Sequence, residues 1–524
     1  MALDKICYVA LLISGFLYVT VGDGVEFSRK AFPSNFVFGV ASSAYQYEGG
    51  YIEDRKGLSN WDVFSHLPGK IADGKNGDIA ADEYHRYKED VEIMVEMGVD
   101  VYRFSIAWSR IFPQGSGEMN PLGVQYYNNL IDALLSKGIQ PFVTLYHYDI
   151  PQTLEVQYGS WLNPQIIKDF ANYAEACYRM FGDRVKYWTT FNEPNVFTLK
   201  GYSEGNYPPS RCSSPFGNCT AGNSSTEPYT VGHNVLRAHA SAVDIYRRKY
   251  QGHQGGLIGI VISTEWYEPL TNAPEDADAA DRILAFHNAW FLDPIVLGEY
   301  PPIMQKLVGK RMPKITEELR HKLHGSFDFL GLNYYSAFYA RDASYFVNSP
   351  IRDFHRDSLT TLTAEKDGTL IGPLMYPPHM TSVPYGIEKV VDYIKNRYSN
   401  PLVFITESGF GNERNDNLPL LQVLNDTFRA DCIENTLKYL SKTIRNGANV
   451  RGYFFWSLLD NFEWLFGYSS KFGMYHIDLK DELQRYPKLS AYWYRSFLKG
   501  NTAVHEEEFL REYVGRHEGN DNLT

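Results

Sequence analysis

Short apolar runs rich in aromatic and β-branched residues alternate along the chain with stretches of helical periodicity. Eight of these runs are predicted to be strands, at 36–41, 99–105, 139–147, 186–192, 257–263, 327–335, 401–407 and 451–457. Helical stretches separate them, and examples lie at 89–98, 124–138 and 392–399. The strands do not alternate cleanly between apolar and polar residues, which is typical of parallel strands buried on both faces. The pattern predicts an α/β fold, a single closed (β/α)8 TIM barrel, with a doubly wound open sheet as the alternative.

Two long insertions rich in Pro, Gly, Ser and Asn interrupt this pattern, at 202–229 and 336–380. Each follows a predicted strand, the fourth or the sixth, and so leaves the barrel at its C-terminal end. Barrel enzymes carry their active sites at that end. We assign residues 25–504 to one barrel domain with long βα-loop insertions. The charged stretch 505–524 is predicted to be a tail.

Residues 1–24 have the pattern of a secretory signal peptide. Lys5 precedes the apolar run 6–21, and small residues follow at Gly22 and Gly24. The run is short for a membrane span, and the sequence contains no second apolar stretch long enough for one. We therefore predict secretion to the extracellular space or cell wall, with the vacuole as the alternative destination.

Composition favours a small, neutral ligand. The net charge of −12 argues against a nucleic-acid or anionic-membrane partner, because such partners require basic patches. The aromatic fraction of 15% suits sugars and flat aglycones, although it also suits a large core. The sequence predicts neither a metal site nor a cofactor. It leaves open whether the protein is a monomer or a homodimer.

Two cysteines and four asparagines fit an oxidising, secretory environment. Cys212 and Cys219 bracket a turn sequence with Pro and Gly and are predicted to form a disulfide. The N-glycosylation sequons begin at Asn218, Asn223, Asn425 and Asn522.

An acid stands at the end of two predicted strands. The stretch "YWTTFNEPN" ends the fourth strand on Glu193, and Pro194 is expected to push that residue toward extended backbone geometry. The stretch "PLVFITESG" ends the seventh strand on Glu407. Because all strands of a parallel barrel end at the same face, both carboxyl groups are expected to line one cleft.

Two carboxyl groups across a cleft are what the cleavage of a glycosidic bond requires. One protonates the leaving oxygen, and the other attacks or stabilises the oxocarbenium-like centre. A carboxyl separation of about 5–5.5 Å accompanies retention of configuration, and about 6.5–9.5 Å accompanies inversion. The acid must hold a proton near neutral pH while the nucleophile is ionised, so their pKa values are expected to differ.

Five separated motifs resemble glycoside hydrolase family 1, the retaining β-glucosidases, in its plant branch. They are "FVFGVASSAYQYEGG", "TFNEP", "GLNYY", "ITESG" and "FFWSLLDNFEW", in matching order between about residues 32 and 499. The resemblance implies that Glu193 is the acid/base, that Glu407 is the nucleophile and that the reaction retains configuration.

The resemblance also implies a set of glucose-binding residues, with two residues beside the nucleophile. They are Gln46, His147, Asn192, Trp456, Glu463 and Trp464, together with Asn333 and Tyr335. Gln46 and Glu463 are suited to bond vicinal hydroxyls, and Trp456 to stack on the C–H side of a pyranose. Asn192 is expected to bond the 2-OH, and Tyr335 to donate to the nucleophile.

Three positions depart from the family pattern. Ser408 follows the nucleophile where Asn is usual, Tyr148 follows His147 where Trp is frequent, and His379 stands where a Trp often walls the aglycone. The stretches "HYDIPQ" and 207–229 are similar to the plant subgroup associated with monolignol glucosides such as coniferin and syringin. The expected substrate is therefore a phenylpropanoid β-glucoside.

Three other functions are compatible with parts of the pattern. A transglucosidase would pass glucose from the same intermediate to an alcohol or phenol, and Ser408 keeps this alternative open. Hydrolysis of a non-sugar ring on the same scaffold would not need Gln46 and Glu463 to hold hydroxyls. A non-catalytic sugar-binding protein would be expected to lack one of the two carboxylates, and this chain has both.

Overall fold

The computed structural model describes residues 27–501 and 509–510. Eight parallel strands form a closed barrel: β1 (Val37–Ala41), β2 (Val101–Ser105), β3 (Gln140–Tyr146), β4 (Tyr187–Asn192), β5 (Leu257–Pro269), β6 (Phe329–Asp342), β7 (Val403–Ser408) and β8 (Val450–Phe455). Each strand pairs with the next, and β8 pairs with β1 to close the ring. The (β/α)8 prediction is confirmed, and the open-sheet alternative is wrong.

Helices connect the strands and surround the barrel. The longer ones are Glu83–Met97, Pro121–Ser136, Gln165–Phe181, Glu227–Tyr246, Pro274–Leu284, Trp290–Leu297, Gly386–Arg397, Thr427–Arg445 and Leu489–Lys499. Shorter α-helices are Ala44–Tyr47, Asn60–Ser65, Trp108–Ile111, Gln152–Tyr158, Pro194–Leu199, Gly252–Gln254, Pro302–Val308, Glu317–Leu323, Phe354–Asp357 and Leu420–Leu424. In the helix Gln165–Phe181, buried Ile166, Phe170 and Tyr173 recur at helical spacing and face the barrel core.

Phenylalanine rings fill the interior of the barrel below its C-terminal face. The ring centroids of Phe142 on β3 and Phe454 on β8 lie 5.0 Å apart, and those of Phe329 on β6 and Phe404 on β7 lie 5.2 Å apart. These rings pack in one cluster of buried residues, which also includes Trp456. The barrel is therefore a packed core, with space for a ligand only at its mouth.

Two strands are longer than their sequence pattern predicted. β5 and β6 remain paired beyond the barrel, from Trp266 opposite Ala337 to Pro269 opposite Ala340. We predicted that β6 would end at residue 335 and that an insertion would begin at 336. Continued backbone pairing instead extends the strand into the insertion, and the antiparallel strand Thr360–Thr363 joins it at its outer end. We name the paired segments 264–269 and 337–342, together with Thr360–Thr363, the outer ribbon.

Short antiparallel strand pairs complete the described secondary structure. They are Glu365–Lys366 with Thr369–Leu370, Asn412–Glu413 with Ser470–Lys471, and Tyr475–Asp478 with Gln484–Pro487.

The predicted signal peptide (1–24), most of the tail (505–524) and the sequon at Asn522 lie outside the described residues. Within 27–501 and 509–510, no helix is long and apolar enough to cross a bilayer. In the tail, residues 509–510 are helical, and the Phe509 ring lies 5.4 Å from that of Tyr492.

Candidate active site

The ends of β4 and β7 bring the two predicted acids together, beside the middle of β6. Glu193 follows β4, and Glu407 is the penultimate residue of β7. Strand β6 supplies a hydrogen-bond donor to each: Asn333 Nδ2 lies 2.9 Å from Glu193 Oε1, and the Tyr335 hydroxyl lies 2.8 Å from Glu407 Oε2. Both carboxyl groups are buried and face one cleft at the C-terminal end of the barrel.

The backbone of Glu193 is left-handed, with φ 43° and ψ 60°, and so the extended geometry expected before Pro194 is wrong. Proline disfavours only the right-handed helical region for the residue before it, and here Pro194 begins the helix Pro194–Leu199. A hydrogen bond from Glu193 N to Val261 O of 2.9 Å holds this geometry. A left-handed glutamate is strained, and such strain concentrates at functional sites.

The two acids have different surroundings. Burial and the charge of Glu407 raise the pKa of Glu193 to about 7, against the hydrogen bonds from Tyr148 and Asn333 and the charge of Arg103. Glu407 accepts hydrogen bonds from the Tyr335 hydroxyl and from Arg103 Nη1 at 2.6 Å. Bonds of this kind to a carboxylate are charge-assisted and strong. The arrangement favours a proton on Glu193, and it pairs Glu407 with the Arg103 guanidinium.

The amide of Asn192 is fixed by hydrogen bonds on both its atoms. Its Oδ1 accepts from Arg103 Nη2 at 2.7 Å and from Asn333 Nδ2 at 3.1 Å, while its Nδ2 lies 3.1 Å from His147 Nε2. Burial, with nearby Arg103, lowers the pKa of His147 well below its usual range, so its ring is neutral. The other ring nitrogen, Nδ1, is buried without a hydrogen-bond partner among the described residues.

Gln46 and Glu463 form a second polar group in the cleft. Gln46 Nε2 lies 3.3 Å from Glu463 Oε2 and 3.0 Å from Asn461 Oδ1, and Gln46 Oε1 accepts from the Ser43 hydroxyl at 2.7 Å. Burial, with the charges of Glu407 and Glu193, raises the pKa of Glu463 to about 8, against a hydrogen bond from Trp456. A carboxyl group that titrates near neutral pH can donate or accept a hydrogen bond.

Aromatic rings line the rest of the cleft. The His147 ring is stacked near Trp456 and Trp464, at centroid distances of 5.9 and 6.0 Å. Gly409, just after β7, leaves space for the backbone of Trp456, because a Cβ at this position would lie 1.9 Å from the carbonyl oxygen of Trp456. The side chain of Tyr207, from the first insertion, lies against Trp464 with ring centroids 6.4 Å apart.

The structure thus brings together all ten residues predicted for catalysis and sugar binding, and it adds three that were not assigned to the site. Arg103 lies inside β2, where a charged residue in the buried run "VYRFS" was a signal that could have been used. Tyr148 was noted only as a departure from the family. Tyr207 begins the stretch 207–229, whose resemblance to the monolignol subgroup was noted, but the residue itself was not assigned to the site.

The other two departures are Ser408, directly after Glu407 in β7, and His379 on the second insertion. The buried Ser408 side chain bonds the Tyr453 hydroxyl and borders a small cavity that also contacts Tyr335 and Cys432. His379 is exposed on the second insertion, and its ring centroid lies 6.4 Å from that of Phe466.

Cys212 and Cys219 form a disulfide within the first insertion. Among the sequons, Asn218 and Asn223 are exposed and Asn425 is partly exposed.

In the described part of the chain, no group of three or more His, Cys, Asp or Glu side chains is arranged to hold a metal ion.

Comparisons with known proteins agree with this geometry. The family model Glycosyl hydrolase family 1 matches residues 28–503. Coniferin beta-glucosidase of Pinus contorta is 54% identical over 90% of this chain and 92% of its own length. A protein of Oryza sativa subsp. japonica named Probable inactive beta-glucosidase 14 is 50% identical over 94% of this chain and 95% of its own length.

A solved structure of a rice β-glucosidase mutant in a covalent complex with Glc superposes with a TM-score of 0.88. It is 46% identical to this chain and covers 90% of this chain and 99% of its own. The chain therefore belongs to glycosyl hydrolase family 1 and is a glycoside hydrolase of the β-glucosidase type.

Proposed function

We propose that the protein is a retaining β-glucosidase that removes the terminal β-D-glucose from small phenylpropanoid β-glucosides. The observation that carries this proposal is the pair of acids at the ends of β4 and β7. The surroundings of Glu193 favour its protonated form, and two donors bond the Glu407 carboxylate. An acid and a nucleophile at one cleft are the two groups that double displacement requires.

In the first step, Glu407 attacks the anomeric carbon and forms a glycosyl ester. Glu193 gives its proton to the glycosidic oxygen as the bond to the aglycone breaks. Arg103 and Tyr335 hold the attacking carboxylate through its two oxygens, so its orientation is set before substrate binds.

In the second step, Glu193 is a carboxylate and takes a proton from water. As the proton leaves, the water oxygen attacks the anomeric carbon, and the bond from that carbon to Glu407 breaks. Two inversions give net retention. The rice β-glucosidase mutant, which holds Glc in a covalent complex, supports a glycosyl-enzyme intermediate in this family.

Glucose recognition rests on polar groups that are already oriented. The fixed amide of Asn192 is suited to bond the 2-OH, a contact that strengthens in the transition state. The neutral ring of His147 lies beside this amide and stacks near Trp456, so it belongs to the same polar and aromatic lining. Gln46 and Glu463 lie side by side and suit two vicinal hydroxyls, which argues against a non-sugar substrate.

The phenylpropanoid class is supported by aromatic rings near Glu193, the residue proposed to protonate the aglycone oxygen. The rings of Tyr148, Tyr207 and Trp464 lie within 6.4 Å of one another and offer aromatic surface to a flat phenol. The coniferin beta-glucosidase of Pinus contorta is a relative at 54% identity. Another relative is named as probably inactive, so similarity alone does not establish turnover, and the retained pair Glu193 and Glu407 carries the argument.

Secretion is part of the proposal. The exposed sequons at Asn218 and Asn223 are accessible to glycosylation, and the disulfide between Cys212 and Cys219 suits an oxidising compartment. Mass spectrometry of the protein from its native tissue would test both modifications.

The deciding experiment follows coniferin with and without an added alcohol acceptor, by chromatography and by ¹H NMR of the anomeric proton. Free β-glucose that appears first, in step with coniferyl alcohol, is the expected result. The α-anomer as first product would overturn retention. Coniferyl alcohol with a new glucoside and little glucose would identify a transglucosidase instead. Cleavage of an activated aryl glucoside without coniferin turnover would reject the aglycone class.

A further inference from the structure

Tyr148 follows β3, and its hydroxyl donates a hydrogen bond to Oε2 of Glu193. Its side chain is 3% exposed, and its backbone is left-handed with φ 77°, a conformation that tyrosine adopts only where its surroundings hold it. The ring lies 4.9 Å from Trp464 and 5.9 Å from Phe197. The hydroxyl is therefore held at one position against the acid.

The two oxygens of the Glu193 carboxyl group have different kinds of partner. Oε1 accepts from the amide of Asn333, and an amide N–H can only donate. A proton on Oε1 would therefore face the N–H group of Asn333, which cannot accept a hydrogen bond. Oε2 contacts the Tyr148 hydroxyl, which can donate or accept. The proton of the acid form consequently belongs on Oε2.

We infer that Tyr148 is a positioning residue for the acid/base of the proposed reaction, and this inference rests on the proposed function. Its hydroxyl keeps the transferable proton on one oxygen of Glu193 in the first step. In the second step it donates to the same oxygen and stabilises the carboxylate that takes a proton from water. A tryptophan, frequent here in the family, has a ring N–H that only donates.

Charged and titratable groups from several elements surround the same carboxyl group. Glu407 on β7 disfavours its ionisation, and Arg103 on β2 favours it. The groups in electrostatic contact with Glu193 are Glu407, Arg103, Glu463, Tyr207, Tyr335 and Tyr148. Once Glu407 is esterified in the intermediate, its charge is gone, while the bond from Tyr148 remains to favour the carboxylate.

Removal of the hydroxyl has a separate effect on each step. The pKa of Glu193 rises further, because one of the bonds that opposes its rise is lost. Protonation of the leaving group then persists to higher pH. Hydrolysis of the glycosyl-enzyme slows, because at a given pH less of Glu193 is present as the carboxylate that takes a proton from water.

The test compares the wild-type enzyme with Tyr148→Phe. With phenyl β-glucoside, whose departure needs a proton, the alkaline limb of kcat/KM is expected to move up by about half to one pH unit. With 2,4-dinitrophenyl β-glucoside, whose departure needs none, kcat is expected to fall about 3- to 10-fold at unchanged kcat/KM. Tyr45→Phe is the matched control, because its ring is stacked on the same Trp464 and its hydroxyl bonds Ser65 and the Trp61 carbonyl oxygen instead of Glu193. Its alkaline limb is expected to stay in place.

A second measurement does not depend on turnover. Infrared titration of the carboxyl band, with Glu193→Gln as the subtracted reference, reads the protonation of Glu193 directly. A midpoint that rises in Tyr148→Phe supports the inference, even if the wild-type protein cleaves no glucoside and the proposed function fails. The inference would be overturned if the titration midpoint and the alkaline limb of kcat/KM did not move in a folded Tyr148→Phe variant. An equal loss of rate at every pH would also overturn it.

Discussion

Arg103 and Glu407 form a buried ion pair at the centre of the cleft: Nη1 lies 2.6 Å from Oε1, and the two side chains are 0% and 5% exposed. The other terminal nitrogen of Arg103 donates to Asn192 Oδ1 at 2.7 Å. One guanidinium therefore fixes both the proposed nucleophile and the residue proposed to contact the 2-OH.

Substitution Arg103→Lys is expected to lower kcat/KM on the order of 10²-fold, because a lysine cannot hold both partners and Glu407 shifts. Steady-state kinetics per correctly folded molecule measures this loss. Arg110→Lys is the matched control: Arg110 pairs with Glu48 at 2.9 Å and is equally buried. It is expected to lower thermal stability without the specific loss in kcat/KM. Equal kinetic losses in both variants would contradict the role of Arg103.

Glu193→Gln and Glu407→Gln are expected to respond differently to the leaving group. In Glu193→Gln, kcat/KM for coniferin is expected to fall about 10²- to 10⁴-fold, whereas an activated aryl glucoside is largely spared, because its departure needs no proton. Glu407→Gln is expected to lose both reactions. The measurement is kcat/KM with the two substrates in parallel. An equal loss of kcat/KM with both substrates in Glu193→Gln would contradict the assignment of Glu193 as the acid.

Glu463→Gln is expected to raise the melting temperature by a few degrees at pH 9 and to leave it unchanged at pH 5. The pKa of Glu463 is raised to about 8 by burial and the two catalytic charges, above an unfolded value near 4.3. Its proton therefore favours the folded state at low pH, and this stabilisation is lost as pH rises from about 4.3 through about 8. Glutamine removes the charge that burial disfavours.

Thermal unfolding at the two pH values measures this change. Glu118→Gln, an exposed carboxylate, serves as control and is expected to shift neither. A stability gain for Glu463→Gln that is equal at pH 5 and pH 9 would contradict the electrostatic origin. The same variant is expected to raise KM for glucosides above about pH 8, where the ionised carboxylate that glutamine replaces is the stronger hydrogen-bond acceptor.

Gly409→Ala is expected to displace Trp456, which lines the cleft, and to lower both activity and stability. The loss of stability is expected to be about 1–3 kcal/mol. The added Cβ would approach the Trp456 carbonyl oxygen to 1.9 Å, and backbone must shift to relieve this contact. Gly252→Ala, which meets no atom within 4 Å, is the control and is expected to be neutral or slightly stabilising. Denaturant unfolding and KM for phenyl β-glucoside check both variants, and a Gly409→Ala enzyme with wild-type values would refute the constraint.

Most of the barrel could be predicted from sequence because each strand is a short apolar run with a helix after it. Strand β4, predicted at 186–192, is Tyr187–Asn192 in the structure. The outer ribbon could not be predicted in this way, since partly exposed residues interrupt its buried ones and its order comes from pairing between β5 and β6. The insertion signals of Pro, Gly and Asn marked where the barrel ends but not how far pairing continues.

The site was predictable where chemistry coincides with a strand end, as at Glu193 and Glu407. The network that orients these acids was less visible, because it depends on contacts across the barrel. Arg103 reaches Asn192 and Glu407 from another strand, and no spacing along the chain relates the three. The left-handed backbone of Glu193 likewise depends on the bond to Val261, which a proline rule does not include.

The outer ribbon gives the second insertion defined points of attachment. Tyr339 on β6 lies opposite Thr363 in the antiparallel pair, so the segment between them leaves and returns at one place. Chimeras joined at these two residues would exchange that segment, which includes the outer end of β6, and would leave the closed part of the barrel and both acids in their own sequence. An exchange of this kind changes no catalytic residue, but the incoming segment must supply a partner for Arg311 and Tyr229, which Asp357 bonds here.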